Sequence, residues 1–225
     1  MNLEEFREKA KDESWTPGWE AIDNELDKLY NNEEPLHYAT NLVNRAIMGG
    51  NEYIDGYSVY NSKKGHRHII TYGMTELYRN EDYLGGEWNK WGYEMTVKWL
   101  EQQEDSKKYE NLIINILGDF ASYTYQSERP FFSEQFIKCN VQEYLKQYNI
   151  NMSSNIIGFI TMLDTELNTI DTIYGKVEFI QLVGIIQEEY DKMLENRENM
   201  YVLIENMKKD NPLCITYFNR AKSYL

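Results

Sequence analysis

Residues 65–78 read Gly65-His66-Arg67-His68-Ile69-Ile70-Thr71-Tyr72-Gly73-Met74-Thr75-Glu76-Leu77-Tyr78. From Arg67 to Tyr72 the run is rich in β-branched and aromatic residues and has a glycine on either side, the composition of a strand between two turns. Side chains alternate along a strand, so His68, Ile70 and Tyr72 share one face and Arg67, Ile69 and Thr71 the other. Gly73 ends the strand, and Thr75-Glu76-Leu77-Tyr78 follows as a tight turn or short helix.

Working outward, Asp55-Gly56 precedes a short strand over 57–60, and the polar loop 61–65 leads from it into the signature strand, an arrangement that suggests a hairpin or meander. Further back, Thr16-Pro17 has the N-cap and first-turn residues of a helix over 17–30, with Trp19, Ile22, Leu26 and Leu29 on one stripe. Residues 3–12 read as a short exposed helix, 35–40 as an extended segment and Gly49-Gly50 as a turn. Downstream, 80–89 reads as loop. Residues 91–100 alternate as a half-buried strand, with Trp91, Tyr93, Met95, Val97 and Trp99 inward and Glu94, Thr96 and Lys98 outward.

Residues 106–126 carry the clearest helical period. Leu112, Ile113, Ile116, Leu117 and Phe120 fall on one face, which should lie across a sheet. Each large side chain buried there contributes roughly 1.5–3 kcal/mol, so an aspartate at Ile113 or Ile116 should break the fold. Segment 131–155 keeps no period. Residues 155–187 read as a three-stranded meander, and 188–194 and 198–209 as helices. Residues 212–216 read as a short closing strand or extended tail. The expected fold is α+β: a central mixed or antiparallel sheet flanked by helices. The expected division is a helical extension over 1–16, one domain over 17–216 and a tail over 217–225.

The chain has 225 residues, 42% of them hydrophobic, enough for one domain with a real core. Its formal net charge of −14 argues against nucleic acid and anionic membrane as partners, since phosphates are met by an excess of Lys and Arg. It suits a basic protein, which an acidic face would steer; it also serves solubility alone. Cys139 and Cys214 are far apart and in no metal-ligand spacing, which points to reduced thiols and a cytoplasmic setting. No signal peptide and no membrane span is read.

Several constellations invite chemistry. His66-x-His68 could ligate a metal with His37, Glu76 or Glu94, but no third ligand stands at a telling spacing. A structural His68, buried beside Tyr72 and hydrogen-bonded to backbone or a carboxylate, is the simpler reading. Glu76 and Glu94 paired with those histidines could do acid–base work, yet such residues more often accept hydrogen bonds from a neighbouring turn. The glycine pairs lack the context of phosphate loops, and no serine has a nucleophile elbow. No cofactor is expected. Trp88, Trp91 and Tyr93, with Tyr83, form an aromatic cluster suited either to core packing or to a binding hot spot.

His-x-His, two isoleucines, Thr-Tyr-Gly, two residues, then Glu-Leu-Tyr resembles the central signature of the Suppressor-of-fused domain family. Further blocks resemble it in order: Pro17-Gly18-Trp19, Pro35-Leu36-His37-Tyr38, Asp55-Gly56-Tyr57-Ser58, Gly92-Tyr93-Glu94-Met95-Thr96, Arg129-Pro130-Phe131 and Phe179-Ile180-Gln181-Leu182-Val183-Gly184. Arg67 departs from the pattern, standing where an aromatic is more usual. The resemblance covers about 17–216. It implies a protein binder without turnover. Animal members hold a transcription factor and carry a second domain for which this chain is too short, and single-domain bacterial members resemble immunity proteins that neutralise a toxin. The expectation is therefore a cytoplasmic antitoxin occluding a basic toxin encoded nearby. The alternatives are a regulatory adaptor and a metal-dependent enzyme built on His66, His68, Glu76 and Glu94. The expected partner-binding residues are Tyr83, Trp88, Tyr72, His68, Glu76 and Glu94.

Overall fold

A computed structural model describes residues 1–31, 33–39, 53–100 and 106–225. The turn expected at Gly49-Gly50 and the start of the connection before residue 106 lie outside the described residues.

The strands are β1 (Leu36–Ala39), β2 (Gly56–Asn61), β3 (His66–Tyr72), β4 (Trp88–Leu100), β5 (Gln135–Lys138), β6 (Ile156–Leu163), β7 (Ile170–Thr172) and β8 (Gly175–Ile186). They form one sheet in the order β1-β2-β3-β4-β8-β6-β5, with β7 also on β8. The β4–β8 pair is parallel and the other pairs are antiparallel, so the sheet is mixed. The expected meander over 155–187 is corrected: β6 and β7 do not pair in sequence but each pairs with the long β8. The closing piece at 212–216 is extended rather than a full strand, with a parallel bridge from Thr216 to Trp99.

The helices are α1 (Leu3–Lys9), α2 (Pro17–Tyr30), α3 (Ser106–Ser127), α4 (Val141–Gln147), α5 (Gln187–Glu195) and α6 (Asn199–Asp210). The amphipathic α3 covers one face of the sheet, and Leu112, Ile113, Ile116 and Leu117 pack in one cluster with Val59, Ile69, Met95, Val97, Trp99, Ile180 and Leu182. The other face has two apolar patches. Ile22, Leu26 and Tyr30 of α2 meet Ile70, Tyr72 and Phe179, while Met193 of α5 and Met200, Leu203 and Met207 of α6 meet Ile160, Val183 and Ile185. The helix expected to be exposed at 3–12 is anchored, because Phe6 is buried against Trp15 and Tyr174. The unreadable 131–155 stretch holds β5 and α4.

The strand expected to be half-buried is buried on both faces. Glu94, Thr96 and Lys98 are as fully covered as Met95 and Val97. Their cover comes from polar neighbours, as the site below shows, and alternation of polarity cannot distinguish a polar interior from water.

Candidate functional site

Between the two apolar patches of the second face runs a buried polar strip. Parity brings His66 and His68 of β3, Thr96 and Lys98 of β4 and Gln181 of β8 to this face. The connection from β6 to β7, Asp164-Thr165-Glu166-Leu167, folds over them.

Asp164 is the hub. Its Oδ1 accepts from Lys98 Nζ at 2.7 Å and from the backbone of Glu166 and Leu167; its Oδ2 accepts from Thr96 Oγ1 at 2.6 Å and from His68 Nε2 at 3.1 Å. Lys98 also reaches Thr165 Oγ1 at 2.7 Å and Glu166 Oε2 at 3.1 Å. Lys64 closes the strip from outside, 2.7 Å from Glu166. His68 faces a carboxylate with Nε2, so that nitrogen carries the proton and Nδ1 accepts from the Tyr30 hydroxyl at 2.7 Å. Burial lowers the His68 pKa against the pull of Asp164. Burial would raise the Asp164 carboxyl, but His68 and Lys98 hold it far below the usual carboxylate range. With the imidazole neutral, the full opposing charge is that of Lys98, and His68 contributes an N–H donor. Glu166 is depressed too, burial being outweighed by His66, Lys64 and Lys98.

Glu94 builds the turn after the signature strand. Thr71 Oγ1, the amides of Gly73, Met74 and Thr75, and Thr75 Oγ1 all donate to its carboxyl, at 2.6–3.4 Å. Burial pushes its pKa up to about 7, with the hydrogen bonds from Thr75 and Thr71 pulling the other way. Gly73 sits at φ +126°, and a Cβ there would lie 2.6 Å from the Asp55 nitrogen, so the Thr-Tyr-Gly end needs its glycine. Glu76 is fixed by Asn89, whose Oδ1 accepts the Glu76 N–H at 2.7 Å, and its own carboxylate accepts from Tyr78 N.

The six residues read as partner-binding are thus dispersed. His68, Tyr72 and Glu94 are sealed inside and Glu76 nearly so. Tyr83 is half-buried in a 3₁₀ turn. Trp88, expected in a loop, is the first residue of β4 and is 44% exposed. The burial of these four follows from their covering by α2 and the 164–167 connection and from their use in turns. Among the described residues no group of three or more His, Cys, Asp or Glu is arranged to hold a metal. Sequence reasoning missed Lys98, Asp164 and Glu166. The acidic connection at 164–166 falls inside the expected meander, and a lone Lys on the same strand face as Thr96 is the signal for a buried counter-ion.

Outward-facing features lie elsewhere. Among the described residues β5 ends the sheet, and beside it Phe120, Tyr123, Phe131, Phe136 and Ile137 line a groove of about 740 Å³. Trp88, Trp91 and Phe132 line a neighbouring pocket that shares Phe131. Trp88, Tyr123 and Phe132 are all substantially exposed. No described helix is long and apolar enough to cross a membrane.

Comparison with known proteins agrees with this architecture. The Suppressor of fused homologs of Homo sapiens and Mus musculus are each 24% identical over 183 residues, 76% of this chain. The chain spans only 36% of the length of those curated relatives. A crystal structure of the Sufu–Fu complex superposes with a TM-score of 0.74 at 22% identity, covering 93% of both chains. The crystal structure of Drosophila Suppressor of Fused gives 0.75 at 22% identity, over 94% of this chain and 52% of that one. The sequence profile of the Suppressor of fused protein (SUFU) matches residues 50–221, most of the chain, and the chain belongs to that family.

Proposed function

We propose that the chain is a cytoplasmic protein-binding module that works by covering its partner, and that the partner is a toxin it neutralises. One contrast carries the binding reading. The groups best suited to chemistry are used up inside the fold, while an open sheet edge and three large aromatic side chains face outward. The Cys139 N–H donates to the Ile157 carbonyl oxygen, so odd-numbered β5 residues point their backbone groups toward β6. In an antiparallel pair the alternate residues then turn theirs away, which leaves Phe136 and Lys138 able to receive an extended segment. The net charge of −14 favours a basic partner. A regulatory adaptor for an endogenous protein is the second reading, favoured by the relative crystallised as a Sufu–Fu complex.

The test is co-expression of the full chain with the product of the adjacent gene. Stable co-purification and relief of growth arrest are expected. Co-purification without any toxicity of the partner would favour the adaptor, and no association at all would refute the binding of that product.

A further inference from the structure

A second groove lies between α2 and the β1–β2 edge of the sheet. Its volume is about 590 Å³, and its described lining includes Trp19, His37 and four carboxylates, Asp23, Asp27, Glu33 and Glu34, with no Lys or Arg. We propose that this groove receives an arginine or lysine side chain from a basic segment of the protein partner. The inference rests on the protein-binding reading and adds the chemistry of one contact.

Three independent features point to a cation carried on a chain. The first is aromatic. Trp19 stacks on the buried Tyr72 at 4.1 Å between centroids and meets the His37 ring edge-on at 5.4 Å, so its indole is held in place while remaining only half-buried. Such a fixed indole is the best of the side-chain platforms for a guanidinium or ammonium.

The second is the direction of the hydrogen bonds. Tyr72 donates to Asp23 Oδ1 at 2.9 Å, Ser58 donates to Tyr72 at 3.3 Å, and His37 Nδ1 lies 2.9 Å from Ser58 Oγ. With the Ser58 proton committed to Tyr72, Nδ1–H is the donor to Ser58, and a neutral His37 keeps Nε2 as an acceptor. The groove therefore offers acceptors and negative charge, the complement of an N–H-rich cation.

The third is an ammonium already at the rim. Lys63 Nζ sits 2.7 Å from Glu33 Oε1, on a side chain that is 78% exposed and so readily displaced. The site thus holds one cation of the chain's own, loosely. Among the described residues no metal cluster is present here, and the groove has room for backbone on either side of an inserted side chain.

The probe is a blocked pentapeptide, Gly-Arg-Gly-Arg-Gly, beside its counterpart with citrulline in place of arginine. Amide and indole NMR spectra of the full chain report the contact. The arginine peptide should shift the Trp19 indole and the residues around His37, and the citrulline peptide should not. The D27N/E34Q variant changes two exposed carboxylates, and its spectrum elsewhere should match the parent. It should bind the arginine peptide about tenfold more weakly, and raised salt should weaken the parent similarly. Shifts scattered away from Trp19, or equal binding by the variant, would overturn the proposal. A true partner that binds parent and variant equally would refute the groove while leaving the binding function intact. Peptide binding at Trp19 with no protein partner captured would do the reverse.

Discussion

The Lys98 ammonium lies 2.7 Å from the Asp164 carboxylate, and both side chains are wholly shut off from water. The pair ties β4 to the connection between β6 and β7, and desolvation makes each charge depend on the other. Lys98→Met should therefore cost about 3–5 kcal/mol of stability, because it leaves the buried Asp164 charge without its counter-ion. Lys98→Met combined with Asp164→Asn should cost clearly less than the sum of the single changes. Urea unfolding of the four proteins of this cycle reads both numbers, and additivity would show that the contact carries no coupling.

The same cluster sets a pH dependence. His68 is depressed by burial, so the unfolded chain takes up its proton first, and stability falls as pH drops below about 6.5. Asp164 and Glu166 are depressed carboxylates, so their contribution is present above their unfolded values and is lost below about pH 4. Glu94 runs the other way. With its pKa raised to about 7, its contribution is full below about pH 4.5 and is lost as pH rises through 7. Urea midpoints between pH values of about 4.5 and 8 should show His68→Asn removing a rise with pH and Glu94→Gln removing a fall. Parallel profiles for both variants and the parent would contradict the assignment.

Two glycines in helices should respond with opposite signs to alanine. Gly18 opens α2 against the turn of the signature segment, and a Cβ there would stand 2.2 Å from the Glu76 carbonyl oxygen and 2.5 Å from Leu77 Cα. Backbone cannot step aside cheaply, so Gly18→Ala should destabilise by about 1–3 kcal/mol despite the better helix former. Gly118 in the middle of α3 has nothing within 4 Å of its would-be Cβ. Gly118→Ala should stabilise by about 0.5–1 kcal/mol. Thermal midpoints of the two variants moving in the same direction would sink this account of the Pro17-Gly18-Trp19 block.

Ile116 of α3 is buried against the sheet. Ile116→Asp places an unpaired carboxylate there and should abolish cooperative folding at neutral pH, whereas Ile116→Val should cost only about 0.5–1.5 kcal/mol. Near-UV circular dichroism of Ile116→Asp matching the parent would show that α3 does not hold the core.

Much of this architecture was readable because apolar period and burial coincide. The stripe of Ile22 and Leu26, the α3 face and the strand from His66 to Tyr72 all appear where their patterns put them. The readings failed where polarity and burial part company. Glu94, Thr96 and Lys98 alternate with apolar neighbours as solvent-facing residues do, yet Thr96 and Lys98 are covered by the carboxylate-bearing connection at 164–167 and Glu94 by the turn at 73–75, and no local pattern encodes those pairings. Likewise β5 is four residues long and only half-buried, too short and too mixed for a period to emerge. Its place at the edge of the sheet comes from pairing with β6, a tertiary fact. The outward position of Trp88 was open for a similar reason, since nothing local decides which side of a strand start meets water.

That edge gives the most direct test of how the chain meets a partner. Lys138 is exposed and its backbone N–H points away from β6, so a proline there deletes an outward donor without removing a bond from the β5–β6 ladder. Ile137 before it is already extended, as a residue preceding proline prefers. Lys138→Pro should therefore leave the thermal midpoint within a few degrees of the parent, since surface changes of this kind are usually worth about 0.5 kcal/mol or less. If a partner adds a strand at β5, the proline removes a main-chain bond and blocks close approach, and affinity should fall by about tenfold or more. Lys138→Gln removes the charge and keeps the N–H, so it separates the two causes. Calorimetric titration of all three proteins with the captured partner decides the matter. Equal loss for proline and glutamine would assign the effect to charge, and no loss for either would move the interface away from β5.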